Sequence, residues 1–325
     1  MKVAITIGVY NEEENIARLI DSLLNQTKKP DEIIIVDDGS VDRTGEIINS
    51  YAGRYSIVRY IYQENAGPAT ARNRAWKSTE ADICVFTDGD CVAATNWLEE
   101  LLKPFSDETV AATGGTYETL NASSVLAAFI GLEIAWKYVH VRGDIDVHGA
   151  YNLAVRRHVL EKTGGFDEKY KKPSGEDWDL TYRISDMSRI VYVSSAVVGH
   201  YHPEDFLDYM KNQVMRAYDR VELYRDHSEK KKGDTYTGKI IKYQILASGA
   251  FLPSLVFIYP FFAYSAVIPL LPFSFMLFTA FVPFGYYIRR DVRVALFSIP
   301  VHVCRNFAWL IGIIKGFMYP LKKAW

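Results

Sequence analysis

A chain of 325 residues holds one large domain with an attachment, or two ordinary domains. Lys and Arg number 37 against 39 Asp and Glu, a net charge of −2, which excludes the basic balance expected of a nucleic-acid binder. Cys84, Cys91 and Cys304 show neither zinc-ligand spacing nor an even disulfide count, and fit a reducing compartment.

The opening MKVAITIGVYN enters a strand-like apolar run at once. It lacks the leader, apolar core and cleavage site of a signal peptide, so the N-terminal part is expected in the cytosol. Val3–Val9 predicts a strand, and Ile16, Leu19, Ile20 and Leu23 give Glu12–Leu24 a helical period. Glu32–Val36 is the next apolar strand, Arg43–Tyr51 a helix, Ile57–Tyr62 a strand, Pro68–Lys77 a helix and Ile83–Thr87 a buried-type strand. Such alternation predicts an α/β fold, a mostly parallel sheet with helices on both faces, whose ligands bind beyond the carboxyl ends of the strands. Residues 116–200 are less regular, with a helix over Ser123–Val139 and a strand over Ile190–Val198. Asp205–Tyr224 reads as an amphipathic helix and 225–242 as a basic linker. The expected division is a catalytic domain over 1–224, in halves 1–115 and 116–224, then the linker and an α-helical membrane domain over 243–325.

Tyr243–Ile288 contains no Asp, Glu, Lys or Arg, and as helix it would extend about 69 Å, roughly twice one hydrocarbon thickness. A helical hairpin is expected, with Pro269–Pro272 as its tip. Lys230, Lys231, Lys232, Lys239 and Lys242 precede the run and Arg289, Arg290 and Arg293 follow it, which puts both flanks on the cytoplasmic side. Val294–Tyr319 is apolar but contains His302, Arg305 and Lys315; it reads as a third crossing or, preferably, as helices lying in the interface.

Polar clusters fall at successive strand ends: Tyr10-Asn11-Glu12, then Asp37-Asp38-Gly39-Ser40 with Asp42, then Asp88-Gly89-Asp90. Each alone is an ordinary turn or cap. Together they would converge on one crevice, where carboxylates repel unless a cation intervenes. Hard oxygen donors select Mg²⁺ or Mn²⁺ bridging to the phosphates of a nucleotide diphosphate.

These motifs, in this order, resemble the family 2 glycosyltransferases of the glycosyltransferase-A (GT-A) fold. The likeness continues through Asn65–Asn73 (NAGPATARN), Gly149–Arg157 (GAYNLAVRR), Gly164–Glu168 (GGFDE) and Gly175–Leu180 (GEDWDL), covering residues 1 to about 220. Gly8 departs from it, standing where the family usually has proline. The resemblance implies that Val9, Tyr10 and Glu12 hold base and ribose, that Asp38 reads the base edge, and that Asn65, Arg72, Asp88 and Gly89 lie along the nucleotide. It implies Asp90 as metal ligand, with His200 preferred over His202 beside it, and Asp177 as catalytic base. Asn152, Glu176, Trp178, Gln213 and Arg216 are assigned to acceptor or diphosphate. Gln213 and Arg216 resemble the Q-x-x-R-W of processive synthases, with Ala217 in place of the tryptophan.

The expected activity is inverting transfer of a hexose from a UDP- or GDP-sugar to a hydroxyl of a lipid-linked sugar or glycolipid at the cytoplasmic face of the bilayer. The alternatives are a polyprenyl-phosphate sugar synthase, a polysaccharide synthase, or a non-catalytic nucleotide-sugar-binding membrane scaffold. A phosphate acceptor is already ionised and needs no base, so the E-D-x-D segment favours a hydroxyl acceptor.

Overall fold

The computed structural model describes residues 1–139, 141, 143–172, 175–237, 240–254 and 267–319. They form two compact units, Met1–Leu120 with Val141–Tyr201, and Asn121–His140 with His202–Trp325. The helix expected over Ser123–Val139 and the residues after Tyr201 thus group with the C-terminal region.

In the first unit, nine strands form one sheet: β1 (Val3–Val9), β2 (Glu32–Asp37), β3 (Val58–Tyr62), β4 (Ile83–Thr87), β5 (Cys91–Ala93), β6 (Val110–Thr119), β7 (Asp144–Ile145), β8 (Asn152–Arg156) and β9 (Arg189–His200). Their order is β3-β2-β1-β4-β8-β6-β9-β5, with β7 on β9. β1 lies between β2 and β4, parallel to both, so the chain's direction of travel across the sheet reverses beside it. That reversal opens the crevice in which α/β sheets bind ligands. The sheet is parallel through β3-β2-β1-β4, but β8 runs antiparallel to both β4 and β6. The antiparallel pairing of β8 brings GAYNLAVRR, unassigned as a strand from sequence, beside the D-x-D strand.

β1 and β4 are buried almost throughout, as strands covered on both faces must be. One cover consists of α1 (Ile16–Leu24), α2 (Thr44–Ala52) and α4 (Trp97–Leu102), and the other includes α3 (Pro68–Lys77), all in the first unit. Ile16, Leu19, Ile20 and Leu23 of α1 are fully buried, as their spacing predicts. α1 starts later than the sequence indicated, because Asn11 takes a left-handed φ of 56° and Glu12–Asn15 form a turn. Gly8 has a packing reason: a Cβ there would lie 2.9 Å from the Ala71 Cβ, so α3 rests directly on β1. α6 (Arg157–Thr163) and α7 (Glu176–Ser185) complete the helices of this unit, and Leu160, Leu180 and Ile184 join one core with Phe86 and Leu153.

The second unit contains α5 (Val125–Tyr138), α8 (Phe206–Asp226), α9 (Ile240–Ser254), α10 (Val267–Ala280), α11 (Phe284–Ile288) and α12 (Val292–Met318). The predicted hairpin tip at Pro269–Pro272 is instead helical: Pro272 lies inside α10. Lys239, among the flanking lysines, lies outside the described residues. Pro269–Ile288 and Val292–Met318 are long and apolar enough to cross a membrane.

Candidate active site

The loops after β1 and β2 are tied together by side chain to backbone hydrogen bonds. Asn11 N–H donates to Ser40 Oγ at 2.9 Å, Val41 N–H to Asn11 Oδ1 at 2.9 Å and Glu12 N–H to Thr44 Oγ1 at 2.7 Å. The Val9 carbonyl, expected to face the nucleotide, accepts from Asp38 N–H at 2.8 Å. Asp38 turns its carboxylate onto its own chain, accepting from Gln63 Nε2 at 2.6 Å and from the amides of Ala66 and Gly67 at 2.9 Å each. The residue assigned to base recognition therefore also fixes the NAGP turn. Gly67 takes φ +97°, and a Cβ there would meet the Lys171 carbonyl at 2.8 Å, so glycine is needed for both reasons. Tyr10 and Asn65 are exposed on this rim.

Arg72 joins motifs far apart in sequence. From α3, buried to 6% exposure, its guanidinium donates to Asp88 Oδ1 at 2.8 Å and Glu176 Oε1 at 2.6 Å. It also lies over the Phe166 ring at 5.7 Å. This bidentate use of a planar fork links the D-x-D turn to the first turn of α7. Glu176, expected at acceptor or diphosphate, is 2% exposed and serves as the other anchor of that bridge.

Beyond β4, Asp90 Oδ2 lies 3.0 Å from His200 Nε2, because β5 pairs Cys91 with His200. Cys91 Sγ is in the same group of donor atoms, but burial pushes its thiol well up, leaving it protonated. Gly89 lets the turn close on β1, since a Cβ would lie 2.8 Å from Glu12 Cγ. Glu12, assigned from the resemblance to base and ribose, is thus packed against the D-x-D turn. Its carboxyl is pushed up to about 7 by burial and by Asp90 and Asp88, against the hydrogen bond from Asn15. An imidazole among crowded carboxylates, one of them unable to ionise fully, is a hard donor set with excess negative charge. The residues present fit a divalent cation.

Asp177 follows Glu176 in the first turn of α7. Its Oδ1 accepts from Trp178 N–H at 2.8 Å and its Oδ2 from Ala150 N–H at 3.3 Å. Burial, then Glu176, raises its pKa to about 7 despite Arg72. Trp178 is half-buried, its ring edge-on to Tyr182 at 6.1 Å.

Asn152 is a correction. It was assigned to acceptor or diphosphate, yet it is fully buried and hydrogen-bonded within the sheet. Its amide donates to the Thr116 and Ala196 carbonyls at 3.0 Å each and accepts from Trp97 Nε1 at 2.8 Å. The pairing of β6 with β9 slips between Gly114 and Thr116, and such a bulge leaves ladder carbonyls for side chains to satisfy. His148, which sequence reasoning passed over, lies 2.8 Å from the Gly115 carbonyl at the same bulge and 3.0 Å from that of Gly149. Removing the Asn152 amide strands the Trp97 donor and both carbonyls, so Asn152→Ala is expected to lose about 2–3 kcal/mol of stability in urea unfolding.

Gln213 and Arg216 belong to the second unit, on α8. Although one turn apart, they differ in exposure: Gln213 is buried and accepts from Trp309 Nε1 at 3.0 Å, whereas Arg216 is exposed. His202 is there too, its backbone held by the Asn121 side chain.

Comparison with known proteins agrees with this geometry. The profile of "Glycosyl transferase family 2" matches residues 4–127. "Probable glycosyltransferase YdaM" of Bacillus subtilis is 29% identical over 222 residues, 62% of this chain and 51% of that protein. "Glycosyltransferase AglE" of Haloferax volcanii is 28% identical over 230 residues, 68% of this chain and 74% of that one. The chain therefore spans about half the length of the first relative and three quarters of the second. Among solved structures, the mannosyltransferase PcManGT from Pyrobaculum calidifontis, in complex with GDP-Man and Mn²⁺, shares the fold. Its TM-score is 0.62 at 19% identity, over 97% of this chain and 87% of that one. Residues 4–127 thus match the family 2 glycosyltransferase profile, and the mixed sheet is of the GT-A type.

Proposed function

We propose that the chain is an inverting glycosyltransferase that moves a hexose from a UDP- or GDP-sugar to a hydroxyl of a lipid-linked sugar or glycolipid, at the cytoplasmic face of a membrane. The observation that carries this reading is the Arg72 bridge between Asp88 and Glu176, which couples the diphosphate side of the crevice to Asp177. The acceptor oxygen attacks the anomeric carbon as the bond to the diphosphate oxygen breaks, and the acceptor proton passes to the Asp177 carboxylate. Attack from the face opposite the leaving group inverts the anomeric centre. A pKa of about 7 makes Asp177 a stronger base than an ordinary aspartate and leaves a large fraction ionised at neutral pH.

The nucleoside diphosphate leaves with growing negative charge. Asp90 and His200, with Asp88 and Glu12 nearby, would hold a divalent cation, Mn²⁺ or Mg²⁺, which as a Lewis acid stabilises that charge when bound. Tyr10, Asn65 and the NAGP turn fixed by Asp38 would form the base-binding rim. The Mn²⁺ and GDP-Man held by PcManGT support the donor class.

Thermal shift with a panel of UDP- and GDP-sugars, with and without Mn²⁺, tests this. One donor with the metal is expected to stabilise the protein by about 2.7 kcal/mol at a hundredfold excess over its dissociation constant. Asp90→Ala should abolish the metal-dependent part. A panel without a metal-dependent shift contradicts the reading, and full-rate glycosylation of bare polyprenyl phosphate by Asp177→Asn contradicts the hydroxyl acceptor.

A further inference from the structure

α12 has its polarity inside out. Ser298, His302, Arg305 and Asn306 face inward, while Leu296, Ile314 and Met318 are 62%, 48% and 62% exposed on the opposite side. Between Arg293 and Lys315 the outward face carries no charge. Such a face belongs against lipid, and by length and composition alone the helix could span a bilayer.

What packs on the inner face decides its orientation. α8 runs beside the second half of α12 in the same direction. Tyr209 Oη lies 3.4 Å from Arg305 Nη1, Gln213 accepts from Trp309 at 3.0 Å, and Arg225 Nη2 donates to the Gly316 carbonyl at 3.2 Å. The approach is close at the glycines: a Cβ on Gly312 would meet the Val214 carbonyl at 2.2 Å, and one on Gly316 the Tyr218 carbonyl at 2.9 Å. Yet α8 exposes Asp208, Lys211, Arg216, Arg225 and Asp226 along its length. A helix with charges on its open face cannot accompany a partner through hydrocarbon. Glu133 of α5 adds a buried carboxylate, 2.5 Å from Arg305, at the middle of α12.

We infer that α12 lies in the plane of one leaflet, its Val292–Met318 apolar face sunk into the boundary between headgroups and acyl chains and α8 on its aqueous side. Arg293 and Lys315 then sit at headgroup level at either end. The occupant of this surface is a lipid bilayer, and Tyr319 stays on the same side of it as α8. The inference does not rest on the proposed reaction.

Cys304, the exposed cysteine among the described residues, reports on this directly, since Cys84 and Cys91 are buried. The full chain is reconstituted in phospholipid nanodiscs with a nitroxide on Cys304, or on L296C or M318C in a C304S background. Depth is read from collision with oxygen and a nickel chelate. An in-plane helix puts all three labels within a few ångströms of the same depth, about 5–10 Å below the phosphates. A crossing helix separates the outer two by about 33 Å along its axis and puts Cys304 near the bilayer centre, which would overturn the inference. Labels that remain fully accessible to the nickel chelate would overturn it as well. The label on native Cys304 needs no substitution, so a variant that folds poorly does not remove the readout.

Discussion

Asp177→Asn is expected to lower kcat about 10²–10⁴-fold, the usual worth of a positioned general base, while the donor-induced thermal shift survives. The pH profile of the parent carries the same information. Asp177 acts as a base only when ionised, and its pKa is raised to about 7, so kcat/KM should fall as pH drops through 7 and level off above about 8. The residual activity of the variant should lose that acid limb. Stability moves the opposite way. The folded state holds the Asp177 proton more tightly than the unfolded chain, so ionisation costs stability as pH rises from the ordinary 3.8 through about 7. The asparagine variant should therefore be the more stable protein at pH 8, by about 1 kcal/mol or more, with the advantage fading towards pH 4. Loss of activity with a gain in stability distinguishes a strained catalytic carboxylate from a helix cap, whose removal would cost stability.

Arg72→Met should have the largest structural effect in the crevice. It leaves Glu176 buried without its counter-charge and releases Asp88, and breaking a buried ion pair from one side costs about 3–5 kcal/mol. Urea unfolding is the measurement, and adding Glu176→Gln should recover part of the loss. Arg72 also lowers the pKa of Asp177, so its removal should move the acid limb of any remaining activity to higher pH. Arg72→Lys should fall between, because an ammonium cannot serve both carboxylates as the planar guanidinium does. If Arg72→Met folded as stably as the parent, the bridge would be an incidental contact.

Much of the N-terminal half of the sheet was legible beforehand. β1, β2 and β4 are short apolar runs with polar residues at their carboxyl ends, and α1 shows the period of a helix packed on one face. Those signals are local: pleat and helical turn are written within a few residues of each other. The acidic character of the crevice followed from the same clusters. Glu12 was harder to place, because its position against Gly89 depends on a turn that delays α1.

The chemistry of Asn152 was misjudged for a related reason. The resemblance assigned Asn152 to acceptor or diphosphate, but the amide fills a bulge whose carbonyls come from Thr116 and Ala196 and whose donor comes from Trp97. Periodicity does not reveal a buried amide satisfied by three distant segments. His148 carries no sequence signal at all, since a single histidine before a glycine has no spacing to read.

Composition, periodicity and motif order by themselves determined that this protein has an α/β half with acidic strand ends and an apolar C-terminal region. Local physics sets those features. Only the tertiary structure decided that β8 inserts antiparallel beside β4, that Arg72 ties Asp88 to Glu176, which lies 104 residues beyond the arginine, and that α12 packs Gly312 and Gly316 against α8. These are choices of partner, made where burial leaves a charge or a backbone group only one complement within reach.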